Sequence, residues 1–128
     1  MSTHTIRLGF ATPPLTSNGQ RRAHWTTVRK AKVEVETDVY WRAKAAQIAV
    51  HAPVEVFLTW YAKDARIRDS DGASPMLKAC LDALVLAEVL PGDDHRYVRR
   101  SGCSVVVDRA DPRIELQIVE CEQPKDAA

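Results

Sequence analysis

The chain has 128 residues and a formal net charge of +1, and its hydrophobic and charged fractions, 45% and 27%, are typical of one globular domain. No apolar run approaches the roughly 18 residues that a membrane span needs, and the N-terminus lacks a secretion-signal pattern. We therefore expect one cytoplasmic domain over residues 1–128 with no membrane partner. Its ordered core is expected at about 5–120, with a frayed tail at 121–128.

Cysteine content and charge distribution narrow the class further. Cys80, Cys103 and Cys121 are odd in number and widely spaced, so they predict buried, reduced thiols and not a disulfide framework or a zinc site. Residues 1–68 contain 11 lysines and arginines against 5 acidic residues, whereas residues 69–128 contain 7 against 12. This asymmetry hints at a polyanionic partner that faces an acidic site.

The first half of the chain reads as a strand, a loop and a long helix. Alternation over Thr5–Phe10 predicts a strand, and the prolines and Asn-Gly pair of residues 11–24 predict a loop. A helix is expected from about Trp25 to Val50, because a mostly apolar stripe recurs at three- and four-residue spacing. The stripe consists of Val28, Ala31, Val35, Val39, Arg42, Ala46 and Ala49.

The second half predicts three strands and one more helix. Pro53 ends the long helix, and Val54–Tyr61 reads as a strand. After a polar loop, Pro75 begins a helix that runs to about Glu88. The last two predicted strands are Ser101–Asp108 and Arg113–Glu120. The order β-α-β-α-β-β predicts an α/β (or α+β) fold with two main helices packed against a sheet.

Acidic residues cluster around the second helix. Asp69 and Asp71 lie two apart in a segment that leaves a strand, and if that segment is extended their carboxylates project to one side and can bind a hard cation. Asp94 lies beyond the helix, which can return the chain to the same sheet edge. Lys78, near the helix start, is placed to reach a phosphate. On spacing alone two plainer alternatives stay open: a solvated Asp-x-Asp turn, and a surface ion pair between Lys78 and Asp82.

The same residues carry a resemblance to a known family. Arg68-Asp69-Ser-Asp71, then Leu77-Lys78-Ala-Cys-Leu-Asp82 and Gly92-Asp93-Asp94, resembles the RusA family of Holliday junction resolvases. The N-terminal segment with Pro13-Pro14, Ser17-Asn18 and Arg21-Arg22 is similar to the proline- and asparagine-containing loop of that family. Together these motifs span roughly residues 5–120.

The resemblance implies a mixed sheet, a homodimer and a magnesium-dependent endonuclease that resolves Holliday junctions in DNA recombination and repair. It assigns metal binding and catalysis to Asp69, Asp71 and Asp94, with Lys78 assisting. Two positions depart from the family pattern: Gly72 stands where asparagine is common, and the interval to Lys78 is longer and contains Pro75. Whether Asp93 or Asp94 is the third ligand stays open, although the aligned position favours Asp94.

Contacts with branched DNA are expected from the basic residues before and within the long helix. These residues are Arg21, Arg22, Arg29 and Lys30, whose alternative role is an ordinary solvated helix start. Trp25, Trp41 and Trp60 are expected in the core, with Trp25 the exception to watch because it adjoins the basic loop. Two further functions stay open: a non-catalytic DNA-binding or assembly module of the same fold, and a nuclease for other branched DNA.

Overall fold

The computed structural model describes residues 2–51 and 53–121 and contains one four-stranded sheet with three helices. The predicted α/β class is confirmed, and the sheet is mixed. The strand order is β1-β4-β2-β3; β4 pairs antiparallel with β1 and β2, whereas β2 and β3 are parallel. The elements are β1 (Thr3–Arg7), α1 (Ser17–Arg22), α2 (Trp25–Ala45), β2 (Val54–Ala62), α3 (Ser74–Leu86), β3 (Val98–Val107) and β4 (Arg113–Glu120).

One face of the sheet forms the core with the two longer helices. Alternate residues of the central strands are fully buried, as the period of two predicts. Side chains of α2 and α3 belong to the same buried cluster, so both helices cover this face, which we call the helix face. The shared cluster includes Val54, Val56, Leu58, Ile114, Leu116, Ile118, Val35, Val39, Met76 and Leu84.

The opposite face of the sheet is only partly shielded from solvent. Phe57 and Tyr61 of β2 are intermediate in burial, and the Arg113 guanidinium lies 3.7 Å from the centre of the Tyr61 ring. Val106 of β3 is paired with Tyr61 and is 46% exposed. We call this surface the open face.

The N-terminal segment differs from the prediction in two ways. β1 covers Thr3–Arg7 and not Thr5–Phe10, because the chain leaves the sheet where the Gly9 amide donates to the Asp38 carboxylate at 2.9 Å. The predicted loop contains α1, which begins after Thr16, whose hydroxyl accepts a hydrogen bond from the Gly19 amide at 3.0 Å. No α1 residue is buried, so the helix leaves no apolar periodicity in the sequence.

Other boundaries shift by a few residues. α2 ends at Ala45 and not Val50, because Gln47 adopts a left-handed conformation with φ of 52°. Ala43 is buried instead of the predicted stripe residues Arg42, Ala46 and Ala49, which are exposed. β3 begins three residues before the predicted start, and the expected tail at 122–128 lies outside the described residues. None of the helices within the described ranges is long and apolar enough to cross a membrane.

Candidate functional site

Asp69 and Asp71 lie in a hydrogen-bonded turn, residues 69–72, which we call the acidic turn. The Gly72 amide donates to the Asp69 carbonyl at 3.1 Å, so the segment is not extended and the alternation expected from an extended chain is wrong. The turn leads directly into α3. There the amide and hydroxyl of Ser74 both donate to the Asp71 carbonyl, at 3.0 and 2.7 Å.

Hydrogen bonds from three parts of the fold fix the backbone of the acidic turn. The Cys103 thiol on β3 donates to the Ser70 carbonyl at 3.4 Å, and the Ser17 amide of α1 donates to the Gly72 carbonyl at 3.0 Å. With the two bonds above, each carbonyl from 69 to 72 therefore accepts a protein hydrogen bond. A Cβ at position 72 would lie 3.3 Å from the Asp69 carbonyl oxygen, which favours glycine over the family's usual asparagine in so tight a turn.

The carboxylates of Asp69 and Asp71 differ from those of the other described aspartates in having no described partner. Both residues are exposed, and neither carboxylate accepts a hydrogen bond or forms an ion pair with a residue in the described ranges. All other described aspartates have carboxylate partners, so Asp69 and Asp71 are the described aspartates whose negative charge is left unneutralised. Those partnered aspartates are Asp38, Asp64, Asp82, Asp93, Asp94, Asp108 and Asp111.

Asp94 is engaged by a neighbouring arginine. Arg96 Nε and Nη2 donate to its two carboxylate oxygens, each at 3.0 Å, and the Arg96 amide donates at 3.0 Å as well. The side-chain bonds from Arg96, followed by this amide bond, lower the pKa of Asp94 to about 2. Asp94 is therefore ionised at neutral pH, but its charge is already paired.

Lys78 on α3 lies between two other aspartates. Its Nζ donates to Asp93 at 2.6 Å and to Asp82 at 3.0 Å. The bond to Asp93, followed by the bond to Asp82, raises the pKa of Lys78, and the bond from Lys78 lowers the pKa of Asp93. The side chain of Lys78 is 62% exposed, so the charge remains accessible from solvent. Asp82 also lies 3.8 Å from Lys32 Nζ and is therefore not an isolated surface carboxylate.

Asp94 does not lie at the same sheet edge as Asp69 and Asp71. Val98 pairs with Val54, so Asp94 lies where β2 begins, whereas the acidic turn follows the end of β2. The expectation of a common edge is wrong because β2-α3-β3 is a parallel crossover. The acidic turn folds back along the helix face as far as Cys103, which is paired with Leu58 near the middle of β2. Even so, within residues 2–51 and 53–121 no three His, Cys, Asp or Glu side chains are grouped closely enough to share a metal ion.

A cleft of about 300 Å³ lies beside the acidic turn. Its wall includes the start of α1, the Trp60 ring and the segment from Ile67 to Asp69. The Arg68 guanidinium lies 4.7 Å from the centre of the Trp60 ring, and the indole nitrogen of Trp60 is buried without a described partner. The cleft therefore joins the N-terminal segment to the acidic turn.

The predicted DNA-contacting residues form an exposed basic surface on α1 and α2. Their side chains make no ion pair with any residue that the structure describes, so their charge is available to an anion. The members of this basic surface are Arg21, Arg22, Arg29 and Lys30. Trp25, on the same part of α2, is 66% exposed. The core prediction is wrong for Trp41 as well, which is 64% exposed, whereas Trp60 is partly buried.

Comparison with protein families and with curated proteins gives no match: no protein-family model matches the chain, and no curated protein is significantly similar to it. The resemblance to RusA resolvases therefore rests on the quoted residues and stays a prediction.

The roles of several residues in this region were not predicted from the sequence. Ser74 had a detectable signal, since a serine directly before a proline is typical of a helix start. Arg96 and Cys103 had no such signal. The role of Arg96 depends on the turn before β3, and that of Cys103 depends on the register of β3 against β2. Cys103 was predicted to be buried, yet both it and Cys121 are partly exposed; only Cys80 is buried.

Proposed function

We propose that the protein is a magnesium-dependent endodeoxyribonuclease that cuts branched DNA, Holliday junctions above all, in DNA recombination and repair. The observation that carries this proposal is the pair of unneutralised carboxylates, Asp69 and Asp71, on a backbone fixed by hydrogen bonds. The Ser17–Gly72 bond links that turn directly to α1, which presents Arg21 and Arg22. An acidic turn attached to a basic surface suits a polyanion that is to be both bound and cleaved.

The donor chemistry of the acidic turn fits magnesium. This ion is usually bound by one or two carboxylates, and water and substrate phosphates occupy its other positions. Asp69 and Asp71 supply such a pair, while Asp94 is paired with Arg96. Because Asp94 lies near the start of β2, away from the acidic turn, we propose that Asp69 and Asp71 alone bind the ion and that a DNA phosphate competes with Asp94 for Arg96. When bound, magnesium would activate water and offset charge on the phosphodiester transition state.

The protein's own groups have separable roles in this proposal. The basic surface binds phosphates and orients the strand, and exposed Lys78 is placed to neutralise a phosphate oxygen once it exchanges its aspartate partners. Without a cation the acidic turn repels the DNA backbone, so cation binding and DNA binding at the site are coupled. We further propose that the protein works in the reducing cytosol, where its cysteines stay free.

A non-catalytic DNA-binding module is the competing function. It is favoured by one observation, that no three metal-ligating side chains are grouped within the described ranges. In that case the acidic turn would be a solvated loop and the basic surface alone would carry the function. A nuclease for flaps or other branched DNA differs from a resolvase only in substrate, and a panel of branched substrates distinguishes the two.

The first prediction concerns the acidic turn. Asp71→Asn should lower magnesium-dependent cleavage of a synthetic four-way junction by about a hundredfold or more, the scale of losing a group that stabilises transition-state charge. Junction binding measured in calcium should persist or tighten, because a negative charge near the phosphates is gone. Asp69→Asn should behave in the same way.

Glu88→Gln is the matched control for Asp71→Asn. It makes the same carboxylate-to-amide change at an exposed residue just past the far end of α3. Its cleavage rate should equal that of the parent. Parental cleavage by Asp71→Asn would contradict the metal assignment, and a parent protein that binds junctions but never cuts them would favour the non-catalytic module.

The second prediction concerns phosphate contacts by α1. Arg21→Ala and Arg22→Ala should each weaken junction binding and reduce the slope of log K against log salt by about one unit. Arg109→Ala, which removes the same charge from the turn between β3 and β4, should leave the slope unchanged. Equal slopes in all three variants would mean that α1 does not contact the backbone.

The third prediction concerns assembly. A four-way junction needs two matched cuts, and an isologous homodimer presents two identical sites related by two-fold symmetry. The described surface contains large exposed apolar residues on α2, among them Trp41 at 64% and Val33 at 51% exposure, as a partner-binding surface would. Light scattering should return the mass of two chains, and a one-chain mass at micromolar concentration would contradict the paired-cut mechanism.

A further inference from the structure

Ile67 is an apolar residue held away from the rest of the protein. Its relative exposure is 102%, against 66% for Trp25, the next most exposed large hydrophobic residue in the described ranges. Single exposed apolar residues are common on protein surfaces, so exposure alone assigns no role. The structure around Ile67 is what distinguishes it.

Arg68 closes the segment 64–68 into a compact loop with Ile67 outside. Its Nη1 donates to the Asp64 and Arg66 carbonyls at 2.9 and 3.0 Å, and its Nη2 donates to the Asp64 carboxylate at 2.6 Å. The same guanidinium packs over the Trp60 ring, and the Arg68 side chain is only 15% exposed. Because Arg68 is anchored on its neighbours, Ile67 projects from a braced loop, and its branched side chain adds stiffness at χ1.

The position of Ile67 relates it to the proposed site. It lies two residues before Asp69 and borders the cleft that contains Asn18 and Trp60. The adjacent Arg66 side chain is 80% exposed. Ile67 is therefore an apolar residue next to an exposed cation and the acidic turn. This combination fits a ligand that has both phosphates and an exposed apolar surface.

Branched DNA offers such a surface where continuous duplex does not. Base faces are stacked inside a duplex, but at a branch point they can unstack and expose apolar area. Proteins insert apolar wedges between base steps even in duplex DNA, where unstacking costs energy that a branch point has already lowered. We propose that Ile67 packs against an unstacked base at the branch point and thereby selects branched DNA over duplex. This inference rests on the proposed function, since it takes DNA as the ligand.

The test compares Ile67→Ala with Val106→Ala on a four-way junction carrying 2-aminopurine at the branch point. Val106 is also an exposed branched apolar residue, but it lies on the open face, away from the acidic turn. Calcium replaces magnesium, so that binding is measured without cleavage. Ile67→Ala should lower the ratio of junction to duplex affinity by about tenfold, as expected for losing part of one buried aliphatic side chain.

Fluorescence separates a wedge from a general loss of affinity. Binding of the parent and of Val106→Ala should raise 2-aminopurine emission as the base unstacks, and saturating Ile67→Ala should not. Ile67→Leu, which keeps apolar bulk, should restore both the ratio and the emission. An unchanged ratio and full emission with Ile67→Ala would overturn the inference, as would a parent that prefers duplex. A parent that binds and unstacks the junction but does not cut it in magnesium would contradict the nuclease proposal, and the difference between the parent and Ile67→Ala would still decide the role of Ile67.

Discussion

The carbonyl groups of the acidic turn are the constraint on which the candidate site depends. They accept hydrogen bonds from the turn itself, from α3, from β3 and from α1. Since α3 belongs to the core and β3 to the sheet, the turn has little freedom to collapse onto a nearby arginine. A buried or paired aspartate is stabilised by its partner, whereas Asp69 and Asp71 are kept unpaired by the backbone that carries them.

The unpaired carboxylates of Asp69 and Asp71 raise the electrostatic energy of the protein unless a cation binds between them. Two carboxylates two residues apart repel one another, weakly in bulk water and more strongly as a DNA backbone excludes solvent. A divalent cation relieves both the mutual repulsion and the repulsion of phosphate. The arrangement at Asp93 and Asp94 is the opposite, because Lys78 and Arg96 already neutralise those carboxylates. In our account the arriving phosphates take over these two cations, so that Lys78 and Arg96 bind the substrate.

Sequence periodicity predicted the fold better than it predicted the site. β4 matches its predicted bounds, and the buried face of β2 follows the alternation, because burial on one face imposes a period of two. α1 has no apolar face, so only its capping threonine marked it. The parallel pairing of β2 and β3 leaves no local signature, and it is this pairing that places Asp94 away from the end of β2. Arg96 and Cys103 act through that register, which is why a linear motif could name the aspartates but not their surroundings.

The central claim is that the acidic turn binds a divalent cation. Its most direct measurement is the broadening of backbone amide NMR signals by substoichiometric Mn²⁺, a paramagnetic substitute for Mg²⁺, in the protein without DNA. We predict broadening centred on residues 69–72 that disappears when Asp69 and Asp71 are both replaced by asparagine. Broadening centred instead on residues 108–111, or none at millimolar Mn²⁺, would contradict it.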